Sequence, residues 1–136
     1  MTAEPAALLA NAGTIAIVGA SPNPARPSHD VMRAMMEAGH DCVPVNPGQA
    51  GGTILDRPCH ASLADVPGPI DIVDVFRRSD AVAGIVDEML ALSHRPRVLW
   101  LQLGIRDPAA EARARDAGVA VVTGRCIKVE RMRPGG

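Results

Sequence analysis

Five short apolar runs, each followed by a longer polar or amphipathic stretch, constrain this chain more than any other feature: IAIV (15–18), CVPV (42–45), IDIVDVF (70–76), VLWL (98–101) and VAVV (119–122). Runs of this length, apolar at successive positions, suit strands buried on both faces of a parallel sheet. The intervening stretches carry helical periodicity. In SHDVMRAMMEAGH, residues Val31, Met32, Met35 and Met36 share one side and Gly39 follows the last turn as a stop. In SDAVAGIVDEMLAL, Ser79 is the expected N-cap and Val82, Ile85, Val86, Met89 and Leu90 form a buried stripe. In DPAAEARARDAG, Asp107 caps, Pro108 sits in the first turn and Gly118 ends the helix.

Residues 46–69 break the rhythm. They are rich in Gly and Pro and read as a loop-dominated crossover with a short helical turn at SLADV. Strands alternating with helices predict a doubly wound α/β fold, a mainly parallel five-stranded sheet with helices on both faces. At 136 residues the chain is about one domain. The expected division is an N-terminal extension over 1–13, the domain over 14–131 and a fraying Pro-Gly-Gly tail over 132–136.

Several function classes recede on composition. With 14 basic against 15 acidic residues the chain has no global field for a nucleic-acid backbone. One Trp, one Phe and no Tyr leave few stacking platforms for single strands. The apolar runs are strand-sized, and the first 13 residues have neither a basic start nor a long apolar stretch, so a cytoplasmic protein without a membrane partner is expected. Cys42, Cys59 and Cys126 are odd in number and lack C-x-x-C spacing, which argues against a disulfide framework or thiolate metal site. His29, His40, His60 and His94 are scattered and form no metal-ligand pattern.

In a doubly wound sheet, ligands bind beyond the carboxyl ends of the strands. Those tips here are Gly19-Ala20-Ser21, Asn46-Pro47-Gly48, Phe76-Arg77-Arg78, Gln102-Leu103-Gly104 and Thr123-Gly124-Arg125. The first leads into a helix whose free N–H groups suit phosphate, with Gly19 permitting close approach and Ser21, Arg26 and Ser28 adding donors. A dinucleotide fingerprint would place a carboxylate at the end of the second strand to accept from ribose hydroxyls. Asn46 stands there instead, which weakens an NAD reading and leaves room for a phosphorylated ribose such as that of coenzyme A. Asn46 either meets the adenosine, with Pro47 flat against the base, or only initiates a turn. Arg77 and Arg78 place at least one cation toward ligand, unless Asp71 or Asp74 pairs with them. Cys126, near Arg125 and Lys128, is either a reactive thiol or a small buried apolar residue.

Taken together and in order, VGASPNPARPSHDVM, VPVNP, PIDIVDVFRR, LWLQLGI and GRCIKVE resemble the small bacterial CoA-binding proteins, single-domain relatives of the CoA-binding domain of the succinyl-CoA synthetase alpha subunit. The resemblance runs from about Thr14 to Arg131. It implies a Rossmann-like fold with coenzyme A across the strand tips. Gly19, Ala20, Ser21, Arg26 and Ser28 would hold phosphates, Asn46 and Pro47 would border the adenosine, and Val75, Phe76 and Arg77 would line the path of the arm or phosphates. The synthetase subunit carries its phosphorylated histidine on a downstream domain, and no such domain follows in this sequence. Non-catalytic binding of CoA or acyl-CoA is therefore the leading expectation. The alternatives are an NAD(H)-dependent oxidoreductase or redox sensor on the same fold and a CoA-thioester enzyme using Cys126, for which no base partner is identifiable.

Overall fold

A computed structural model describes residues 4–133. Its central sheet holds five parallel strands in the order β2-β1-β5-β6-β7: β1 (Ile15–Val18), β2 (Cys42–Val45), β5 (Ile72–Val75), β6 (Val98–Leu101) and β7 (Ala120–Val122). The five apolar runs are these five strands, and the fold is the Rossmann-like α/β sheet with helices on both faces. Between β2 and β5 a small antiparallel hairpin, β3 (Thr53–Ile54) and β4 (Arg57–Pro58), precedes a single helical turn at Leu63–Asp65. The helical turn agrees with the reading of SLADV. The hairpin was not expected from sequence.

Strand alternation splits the interior into two cores. Ala16, Val18, Val73, Val75, Leu99 and Leu101 face α3 (Val82–Ala91) and α4 (Pro108–Asp116). Ile15, Ile17, Ile72, Val98 and Trp100 face α1 (Pro5–Leu9), α2 (Pro27–Glu37) and α5 (Ile127–Met132). Burying both faces explains why the strands read as continuous apolar runs rather than alternating ones.

Helix starts follow local chemistry, with one correction. Asp107 caps α4 by accepting from the N–H of Ala110 at 3.1 Å, and Pro108 fills the first turn as predicted. Ser79 does not cap α3: a 3₁₀ turn at Ser79–Ala81 precedes that helix, and the hydroxyl accepts the N–H of Arg106 at 3.0 Å instead. Two helices lie outside the periodicity reading, α1 within the expected extension and α5 beginning within GRCIKVE and running on to Met132. The expected tail falls largely on residues 134–136, outside the described residues.

One strand residue breaks the apolar pattern. Asp74, in the middle sheet strand β5, is fully buried, and neither carboxyl oxygen has a hydrogen-bond partner among the described residues. Burial pushes its pKa well above the usual carboxylate range. The pairing of Asp71 or Asp74 with Arg77 or Arg78 does not occur. Asp71 binds Arg97 at 3.0 Å at the opposite end of the strand, and Arg78 lies 3.5 Å from Asp80.

Candidate functional site

In the main sheet, the chain moves from β1 outward to β2 and then returns to the other side of β1 at β5, so the order reverses at the β1–β5 boundary. The carboxyl ends flanking such a reversal leave an open crevice. Here that crevice is a cavity of about 590 Å³ lined by residues from β1, β2, β5 and β6 tips and from α2 and the start of α5.

The loop after β1 is held in one shape by its own polar groups. Gly19 has φ +89°, a backbone region open chiefly to glycine. A Cβ there would stand 2.9 Å from the Phe76 carbonyl oxygen and 3.0 Å from Arg77 Cδ, so the position excludes a side chain twice over. Ser21 Oγ accepts the N–H of Asn23 at 3.1 Å, and Asn23 Oδ1 accepts the N–H of Ala25 at 2.9 Å. Arg26 then occupies the N-cap of α2 and Pro27 its first turn, where a missing N–H is harmless. Ser28 is buried in that first turn with its hydroxyl unpaired among the described residues, and the exposed Arg26 forms no ion pair among them. A helix start, two hydroxyls and a free guanidinium thus share one rim of the cavity, a donor set for anionic oxygen.

The second tip is tied to the first. Asn46 donates through Nδ2 to the Ala20 carbonyl at 2.8 Å and accepts from the Gly48 N–H through Oδ1 at 2.9 Å. Its turn-initiating role is therefore real, and its amide is committed at both ends.

Of the ten sequence-predicted site residues, Gly19, Ser21, Arg26, Ser28, Asn46 and Phe76 line the cavity. Ala20 is buried behind the loop and contributes its carbonyl to Asn46. Val75 points into the α3/α4 core on the other face of the sheet, because it alternates with Phe76. Pro47 is exposed beside the cavity rather than in its wall, and Arg77 folds back over Gly19. The wall also includes Val31, Gln102, Leu103, Ile105 and Cys126, outside the predicted set. Gln102 and Leu103 were legible as a strand tip, and Cys126 as a residue beyond the fifth strand.

Cys126 sits half-buried where β7 leads into α5. Two contacts fix that junction: Trp100 Nε1 donates to the Arg125 carbonyl at 2.9 Å, and Lys128 Nζ reaches Asp30 of α2 at 2.8 Å. The hydrogen bond from Lys128 does most to hold the Asp30 carboxyl below its ordinary range; desolvation opposes it, and a hydrogen bond from Arg33 adds to it. Cys42 and Cys59 are buried away from the cavity, and burial pushes the Cys42 thiol up to about 12. Among the described residues, no group of His, Cys, Asp or Glu is placed to hold a metal, and no helix is long and apolar enough to cross a membrane.

Comparison with known proteins agrees with this geometry. Residues 13–132 match the family described as CoA binding domain. The Bacillus subtilis (strain 168) protein YneT is 39% identical over 127 residues, covering 93% of this chain and 91% of that one. A solved Thermus thermophilus structure, cell-free ID.343, superposes with a TM-score of 0.86 at 44% identity, covering 91% of each chain. A dinucleotide forming acetyl-coenzyme A synthetase from Ca. Korarchaeum cryptofilum shares the fold alone, with a TM-score of 0.64 at 22% identity over 80% of this chain and 25% of that one.

Proposed function

This chain belongs to the CoA-binding domain family, and from that premise we propose that it binds coenzyme A or an acyl-CoA across the carboxyl ends of its strands, without itself catalysing a reaction. The phosphates lie against Gly19, Ser21, Arg26 and Ser28. The adenosine runs out past Asn46 and Pro47, and the arm crosses Phe76 toward β6. One observation carries the reading: the pre-shaped loop at Gly19–Ser28 presents hydroxyls, a helix start and an unpaired Arg26 to a cavity at the strand-order reversal. The second-strand tip offers Asn46 in place of a carboxylate, which suits a phosphorylated ribose better than the free diol of NAD.

Calorimetric titration with CoA, acetyl-CoA, NAD and NADP tests it. CoA or acetyl-CoA is expected to bind at least tenfold more tightly than either nicotinamide dinucleotide. Equal or tighter binding of NAD overturns the assignment and leaves the fold untouched. Thioester chemistry at Cys126 is a second reading, favoured by the place of that thiol in the cavity wall. Release of free CoA from acetyl-CoA during the titration supports it, and fully recovered acetyl-CoA removes it.

A further inference from the structure

The cavity wall contains one buried side chain whose polar end is only half used. Gln102 follows β6, is 7% exposed and lines the cavity. Its Oε1 accepts the N–H of Ile127, at the start of α5, at 3.1 Å. A backbone N–H can be satisfied only by the amide oxygen, so this contact fixes which way the amide is turned. The nitrogen then faces away from α5, and Nε2 has no hydrogen-bond partner among the described residues. Nor is it sealed in: among the described residues, the buried polar side-chain atoms without partners both belong to Asp74. An amide nitrogen that is neither paired nor sealed, on a residue that lines the cavity, opens into that cavity.

We infer that Gln102 donates to a carbonyl oxygen of the ligand's arm. What the side chain turns away from α5 is two N–H donors, its oxygen being engaged by the Ile127 N–H, so its complement is an acceptor: a carbonyl oxygen fits, a thiol sulfur is only a weak acceptor and an ammonium group offers none. Val31, Phe76, Leu103 and Ile105 line the same cavity with apolar surface suited to an aliphatic arm interrupted by carbonyls. The position along the ligand follows from the sheet. β6 lies two strands from β1, roughly 10 Å at the usual strand spacing, so Gln102 meets the arm rather than the phosphates held by the β1 loop. The carbonyl is either an amide within the pantetheine arm or the thioester of an acyl-CoA. This assignment rests on the CoA reading above and specifies which part of the ligand is recognised.

Gln102→Glu separates the two uses of the side chain, because it keeps an oxygen for the Ile127 N–H and replaces the donor with an acceptor. Wild type and variant are titrated with CoA, acetyl-CoA and adenosine 3′,5′-bisphosphate, which lacks the arm. A loss of tenfold or more for the ligands with an arm, with the bisphosphate unchanged, is expected. A loss shared by CoA and acetyl-CoA identifies an arm amide as the partner, and a loss confined to acetyl-CoA identifies the thioester. Equal losses for all three ligands, or none for any, overturn the inference. If the new carboxylate prevents folding, Gln102→Met removes both polar atoms without adding charge, and the same pattern across the three ligands decides. A wild-type protein that binds none of them refutes the CoA reading itself, before any variant is compared.

Discussion

Asn46 at the end of β2 and Ala20 in the loop after β1 are joined by a 2.8 Å hydrogen bond from side-chain amide to carbonyl. The bond fixes the spacing between the two tips that would hold the phosphate and adenosine ends of one ligand. Asn46→Asp keeps an acceptor for the Gly48 N–H but sets a carboxylate oxygen against the Ala20 carbonyl. The expected outcome is a stability loss of about 1–3 kcal/mol, since a part-buried carbonyl loses its donor and meets like charge. CoA affinity should fall with it. Denaturant unfolding and calorimetry check both, and unchanged stability would mean that the tips are aligned by something other than this bond.

Arg26 stands at the same rim but is joined to nothing through its side chain among the described residues. Arg26→Ala should therefore leave the unfolding midpoint of the ligand-free protein within about 0.5 kcal/mol of wild type, as surface substitutions usually do. Losing a charge-assisted hydrogen bond to phosphate should weaken CoA binding by roughly 1.5–3 kcal/mol. A lowered melting temperature with unaltered affinity would make Arg26 a structural residue.

These two side chains show how far the sequence could be read. The strand runs and the alternation with helices were plain, because a sheet buried on both faces demands long apolar blocks. Their tips located most of the cavity for the same reason. The β3–β4 hairpin is not legible in the sequence, since its strands are only two residues each, too short for periodicity, and its turn places Leu55 and Asp56 at φ 51° and 64° without a glycine to announce it. Ser79 looked like a cap because the 3₁₀ turn before α3 has no sequence signature of its own. Val75 reads as a lining residue from its place at the strand tip, and its side chain faces the opposite core because it alternates with Phe76. That Asn46 Nδ2 and Gln102 Oε1 are already occupied depends on partners 26 and 25 residues away, a distance at which spacing carries no information.

Asp74 supplies a prediction about pH. Its carboxyl is fully buried without a hydrogen-bond partner among the described residues, and desolvation raises its pKa well above the ordinary 3.8. A raised acid pKa in the folded state means that the fold binds this proton more tightly than the unfolded chain does. The resulting stability is complete below the unfolded pKa and is lost as pH climbs from there toward the folded value, by up to about 1.4 kcal/mol per pH unit. Asp74→Asn is nearly isosteric and cannot ionise, so it removes that loss while leaving a polar group in place. Urea unfolding from pH 4.5 to pH 8 should show the two proteins diverging, with the Asn variant gaining on wild type as pH rises. His40, whose pKa is lowered by burial and by Arg131, titrates with the opposite sign in part of this range. It is present in both proteins and cancels in the difference. Parallel profiles for wild type and Asp74→Asn would show that the buried carboxyl is solvated or paired in solution.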